Sequence, residues 1–127
     1  DPYFLELKGQ VLLESGKPAD AIPPLREAVQ RSNNAPMIAA MLGHALIATE
    51  RPENFPEAER VLKASVGRDN DNPFAWYQLG MAYHTLRQPE KVKEVVEHMF
   101  RYDPRMTRRL IHDAARSDLA FMVPDMV

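Results

Sequence analysis

Apolar residues recur along this chain at spacings of three and four, the period of a helix with one buried face, and no useful length alternates with the period of a strand. Trp76, Leu79, Gly80, Tyr83 and Leu86 make one such stripe; Ala21, Leu25 and Ala28 make another. The pattern predicts helices at residues 2–15, 18–31, 36–49, 54–67, 73–86, 89–101 and 105–116, an all-α chain. Pro2, Pro36 and Pro73 stand at helix starts, where a missing N–H costs nothing. Asp1 and Asn72 precede two of them as N-caps, and Asp103 precedes Pro104 in the same way. One segment conflicts with its neighbours. Pro23 and Pro24 fall inside the second helix, where an interior proline costs roughly 3 kcal/mol, so that helix is expected to start late or to bow.

The stripes repeat. Gly9, Gly43 and Gly80 lie 34 and 37 residues apart, within Leu5-x3-Gly9-x2-Leu12, Leu42-Gly43-x2-Leu46 and Trp76-x2-Leu79-Gly80-x2-Tyr83. The last is the W-x2-L-G-x2-Y signature of a tetratricopeptide repeat. Ala21-x3-Leu25-x2-Ala28, Ala58-x3-Leu62-x2-Ser65 and Val92-x3-Val96-x2-Met99 follow as second-helix patterns. The chain thus resembles a tetratricopeptide (TPR) domain. The resemblance implies one domain over 1–127, an α-α superhelix of three hairpins (2–35, 36–72, 73–106), a capping helix at 105–116 and an apolar tail at 117–127. Glycine inside a helix costs about 1 kcal/mol against alanine, so Gly43 and Gly80 are expected where the two helices of a hairpin approach closely. Lys8 replaces a large apolar residue of the repeat and is expected to snorkel at an exposed end. Leu119, Phe121, Met122 and Val123 are expected to dock on the capping helix or on a second chain, and Trp76 to pack in the core.

Composition narrows the function by exclusion. At 45% hydrophobic and 27% charged the chain is globular. Sixteen basic against eighteen acidic side chains leave a net charge of −2, which gives no general grip on nucleic acid or anionic lipid. With no cysteine there is no disulfide, no thiolate nucleophile and no sulfur-ligated zinc. No apolar run approaches the roughly 20 residues of a membrane span, so no membrane insertion is expected. The chain opens at Asp1 without methionine, which reads as a domain cut from something longer. His44, His84, His98 and His112 each stand alone, so no H-E-x-x-H and no metal site is expected. No serine lies in a G-x-S-x-G elbow and the five glycines are dispersed, which leaves no catalytic residue and no cofactor to name. The cluster Arg105, Arg108, Arg109 and Arg116 reads as a solvated face.

Repeat arrays of this kind bind on the concave surface of their first helices. By the resemblance, that surface holds Tyr3, Gln10, Met37, His44, Phe74, Tyr77, Met81 and His84, with Ala40 among the flanking positions. Tyr3, Met37 and Phe74 cross it in one row; Gln10, His44 and Met81 cross it in another. Methionines and aromatics together suit varied apolar peptides. A subclass of these domains grips the C-terminal carboxylate of chaperones with lysine, arginine and asparagine. Glu6, Gln10, Met41, Phe74 and Gln78 stand at those places here, so the clamp is absent. The expected function is a non-catalytic module that docks an apolar or mixed peptide segment of a protein partner. One alternative is an oligomerisation domain, a homodimer with groove and tail packed between chains. Another is the recruitment arm of a zinc metalloprotease. Residues Asp1–Gln10, Ala35–Ile38 and Arg68–Trp76 are similar to the C-terminal repeat domain of Gram-negative zinc metalloproteases related to the β-barrel-assembly-enhancing protease. That resemblance implies a periplasmic protein; without it the expectation is cytoplasmic.

Overall fold

A proline occupies one of the first two positions of every α-helix among the described residues, where its fixed φ favours the helix and its missing N–H has no intrahelical partner to lose. The computed structural model describes residues 1–123. Its elements are α1 (Pro2–Glu14), α2 (Pro18–Arg31), α3 (Pro36–Ala48), α4 (Phe55–Arg68), α5 (Pro73–Thr85), α6 (Pro89–Met99) and α7 (Pro104–Asp113), with 3₁₀ segments at Pro52–Asn54 and Ser117–Met122. Asp1 caps α1 by accepting from the Tyr3 N–H, Asn72 accepts from Phe74 and Ala75, and Asp103 accepts from Met106.

Three hairpins stack in chain order: α1 on α2, α3 on α4, α5 on α6, with α2 against α3 and α4 against α5. First helices also touch one another, α1 to α3, α3 to α5 and α5 to α7, whereas second helices meet only sparsely. The array therefore curves with its first helices on the inside. The core runs along the seams between layers, through Leu25, Ile38, Leu42, Leu46, Leu62, Val96, Met99 and Leu110.

The glycines set how close the layers come. A Cβ on Gly9 would lie 2.4 Å from Leu25 Cγ, and one on Gly43 would lie 2.4 Å from Leu62 Cγ, so α1–α2 and α3–α4 close on a bare backbone. Gly80 corrects the expectation. Its close neighbour is Leu110 of α7, at 2.6 Å from an added Cβ, so this glycine admits the last helix of the array rather than the other arm of its own hairpin.

Helix α2 runs unbroken through Pro23 and Pro24. The carbonyls they leave without a helical donor belong to Ala19 and Asp20, both at the surface, where water serves them, while Ile22 and Leu25 remain buried. Turns out of first helices share one device, a residue in the left-handed region: Gly16 (φ 76°), Glu50 (56°), Arg87 (60°) and Ala115 (55°). After three of them the next N–H reaches back five residues, Lys17 to Leu12 at 2.8 Å, Gln88 to Tyr83 at 2.9 Å and Arg116 to Ile111 at 2.8 Å.

Further expectations change. Helix α7 covers Pro104–Asp113 rather than 105–116, because Ala115 turns the chain out of it. The tail then forms the Ser117–Met122 3₁₀ helix on α6 and α7, with Leu119 and Val123 buried and Phe121 left outside; the rest of the tail, 124–127, lies outside the described residues. Arg116 locks this turn, donating from Nη1 to the Pro89 carbonyl at 2.8 Å and from Nε and Nη2 to Asp118 at 2.9 and 3.0 Å. It is no solvated cation. Trp76 packs against the core as expected but is only half-buried: its indole N–H donates to the Asn70 carbonyl at 2.9 Å and its ring stacks on His98 at 3.9 Å.

Two substitutions test this account through the chain's denaturation midpoint. An L-residue in the left-handed region costs roughly 1–2 kcal/mol and glycine's extra entropy offsets about half of that, so Ala115→Gly should stabilise by about 0.5–1 kcal/mol. Gly43→Ala should destabilise by about 1–3 kcal/mol through overpacking against Leu62, although alanine is the better helix former.

Candidate functional site

The inner face of the array is built from helices that carry almost no charge. Helix α3 has no Asp, Glu, Lys or Arg, and α5 has none either; their only titratable side chains are His44, Tyr77, Tyr83 and His84. Helix α1 adds Glu6 and Glu14 on its side of the groove. Both α3 and α5 are apolar around most of their circumference, since each is covered by its hairpin partner on one side and by the preceding hairpin on another.

The structure draws part of the expected set together. Met37 is exposed, with its sulfur 3.0 Å from Asn72 Nδ2 at the mouth of α5. His44 meets Phe74 edge to face, ring centroids 5.9 Å apart and planes at 73°. Phe74, Tyr77 and Met81 are partly buried against the core and present their remaining surface, and His84 is exposed on the last turn of α5. Tyr3 projects into solvent on α1, while Gln10 donates to Glu14 of its own helix at 3.2 Å, so the α1 end of both rows is the looser one. Ala40 is fully buried and lines nothing. Met41 is likewise packed against the core.

Burial holds the His44 imidazole below its ordinary 6.5, with a hydrogen bond to the Gln78 side chain acting in the opposite direction. Gln78 is itself buried beneath the groove. His44 is therefore neutral at physiological pH and adds no cation to the groove.

One wall of the groove was not legible from repeat spacing. Helix α7 packs on α5, and Asp113 accepts a hydrogen bond from the Tyr77 hydroxyl. Arg109 lies over the Tyr77 ring at 5.6 Å and 3.8 Å from Asp113, and His112 Nδ1 stands 3.1 Å from the same carboxylate. Arg109 keeps most of its side chain in solvent, in keeping with a solvated basic face, while leaning over the Tyr77 ring. Tyr77 consequently serves as a strut between α5 and α7 as well as a groove residue. Beyond the strut, Ile111, Ala115, Ala120 and Val123 line a mostly apolar depression of about 450 Å³ between α7 and the terminal 3₁₀ helix. The sequence signal for this wall was the apolar face of α7; its polar residues gave no hint that Asp113 meets Tyr77 at the surface.

Among the described residues no group of three or more His, Asp or Glu side chains is placed to hold a metal ion, and no helix is long and apolar enough to cross a membrane.

The strut titrates at both ends. Burial first, then the hydrogen bond to Asp113, push the Tyr77 phenol up to about 12, while that hydrogen bond and His112 hold the Asp113 carboxyl below 3.8. A raised tyrosine stabilises the fold below pH 10.0 and loses that contribution as pH climbs toward about 12; a depressed aspartate contributes above pH 3.8 and loses it on further acidification. Tyr77→Phe should remove the most alkaline tyrosinate step from an absorbance titration and cost about 0.5–1 kcal/mol, a charged hydrogen bond discounted for its exposure.

The chain matches no protein-family model, and no curated protein sequence matches it. Solved structures do match. The first TPR domain of the human RPAP3 protein superposes with a TM-score of 0.78 at 19% identity, over 95% of this chain and 94% of that one. The first TPR of Spaghetti (RPAP3), bound to the HSP90 peptide SRMEEVD, gives 0.75 at 20% identity over 94% and 95%. The second TPR domain of human RPAP3, in complex with the HSP70 peptide SGPTIEEVD, gives 0.75 at 16% identity over 91% and 99%. At these identities the likeness is one of fold, and the fold is that of a tetratricopeptide array.

Proposed function

We propose that the chain, acting as one domain over 1–127, is a non-catalytic module that holds an apolar or mixed peptide segment of a protein partner in its concave groove. The observation that carries this is the pairing of an uncharged α3–α5 floor with a neutral, desolvated His44 against Phe74. Met37, Phe74, Met81 and His84 supply the contact surface, Tyr77 supports it at the α7 end, and Tyr3 and Gln10 complete the rows at the α1 end. Similar folds are known with acidic peptides bound, SRMEEVD and SGPTIEEVD. Here Glu6, Gln10, Met41, Phe74 and Gln78 put no cation at the places where a carboxylate clamp would need one, which supports an apolar ligand over an acidic tail.

The tail weakens the homodimer alternative in its simplest form, because Leu119 and Val123 are already buried within the chain. The recruitment-arm reading concerns the parent protein and rests on residues 1–10, 35–38 and 68–76; an upstream H-E-x-x-H in the flanking sequence is its test.

Calorimetric titration with SRMEEVD and with a neutral peptide rich in Leu, Met and Phe distinguishes the ligand classes. The neutral peptide should bind with little salt dependence and lose about 1–3 kcal/mol on Phe74→Ala or Met81→Ala. Binding of SRMEEVD with steep salt dependence would reverse the assignment. The pH dependence has a sign. A ligand covering His44 keeps it neutral, so affinity should hold above pH 6.5, fall as acid protonates the imidazole, and become flat in His44→Gln.

A further inference from the structure

Helices α3 and α5 carry no Asp, Glu, Lys or Arg, but the first helices on either side of them do. Glu6 and Glu14 lie on the groove side of α1, one turn before and one turn after Gln10, which donates to Glu14. Among the described residues neither glutamate has an ion-pair partner. Lys8, the one cation of α1, stands two residues from Gln10 and so about 200° round the helix, away from the groove.

Beyond the floor stands α7. Aligning Pro104 with Pro73 matches the buried Leu110, Ile111 and Ala114 of α7 with the buried Leu79, Gly80 and Tyr83 of α5, which fixes the register. That register puts Arg105 where α5 has Phe74 and His112 where it has Met81, both groove positions. Arg105 is exposed and makes no ion pair among the described residues. Arg109 stands beside this row with its side chain 69% exposed. Asp113, the one acid of α7, is taken up at the Tyr77 hydroxyl. The groove thus passes from acidic at α1, across an uncharged floor, to basic at α7.

We propose that the groove reads charge on both sides of its floor, and that its ligand is an extended segment with an apolar centre, a basic residue toward α1 and an acidic residue toward α7. This rests on the peptide-groove reading and narrows it. Three helix-to-helix steps of about 10 Å separate α1 from α7, so the two ligand charges stand about nine extended residues apart. A wholly acidic segment would meet Glu6 and Glu14, and a wholly basic one would meet Arg105 and Arg109, so each is repelled where the bipolar segment is attracted. The cations lie one helix beyond the clamp positions of α1, α3 and α5, so they do not rebuild a carboxylate clamp. SRMEEVD, whose arginine stands five residues before its last aspartate, reaches only about half the distance between the two charged walls.

Calorimetric titration of the full chain with designed peptides reads the result. All share a centre of Leu, Met and Phe. Their ends carry two lysines and two glutamates, in either chain order, at a spacing of about nine or about four residues, or glutamine at both ends. At low salt the better of the two widely spaced bipolar peptides should bind about three- to tenfold tighter than the glutamine-ended one, and the closely spaced ones should not. The advantage should vanish at about 1 M salt, where charges are screened beyond about 3 Å. Variants are read by the same ratio. Glu6→Lys with Glu14→Lys should abolish the advantage and pass it to a peptide with glutamates at both ends. Arg105→Glu should at least halve it from the other side; a carboxylate is favoured in the first turn of α7, so this variant carries the test if the α1 variant loses helicity. Equal binding of bipolar and glutamine-ended peptides at low salt, or an advantage that survives the variants, overturns the inference and leaves the groove reading standing. Failure of every peptide to bind overturns both.

Discussion

The close approach of side chains to bare helix backbone governs this molecule. Gly9 receives Leu25, Gly43 receives Leu62 and Gly80 receives Leu110, each at a distance that no Cβ tolerates. These contacts draw each first helix down onto its neighbours. Interiors pack at crystal-like density, so a shift at one such seam is passed to the next rather than absorbed. The inner layer ends up tighter than the outer one, and the groove is the geometrical result. Gly80 extends the rule beyond the hairpin, because its leucine comes from α7, the helix that ends the array.

What surface the groove presents follows from what α3 and α5 do not carry. Both helices are surrounded by protein on most sides, and a lysine or arginine turned inward there would need a partner that the neighbouring apolar residues do not provide. Gln78, buried and uncharged, meets His44 instead. The surface left over is aromatic, thioether and neutral imidazole. The superposed structures, at 16–20% identity, share this backbone curve; the side chains on the first helices set what surface the curve presents here.

Helix α7 and the turn after it do more than cover the last hairpin. Tyr77, Asp113, Arg109 and His112 tie α7 to α5, while Arg116 ties the turn to the start of α6 through the Pro89 carbonyl. The end of the groove is held by these polar contacts as well as by the burial of Leu110, Ile111 and Leu119. Chain ends of a stacked array are where apolar faces run out of partners. This chain covers one such face with its own terminal segment, Ser117–Met122.

Much of the architecture was written in local features. Prolines and their capping partners marked helix starts, three- and four-residue spacing gave the helices, and the 34- and 37-residue glycine intervals gave the stacking. These are legible because backbone geometry and burial of one helical face act over a few residues at a time. Repeat register also placed Met37, His44, Phe74 and Met81 on the first helices, where the structure has them. Tertiary structure decided the rest. That Gly80 faces Leu110, that Tyr77 braces Asp113, that Ala40 is sealed and Arg116 pinned, and that Phe121 is left outside while Leu119 is covered all depend on residues up to 36 positions apart meeting in space. A solvated arginine such as Arg109 and a pinned one such as Arg116 look alike in sequence, because the difference lies in what packs opposite them, and no local period encodes that.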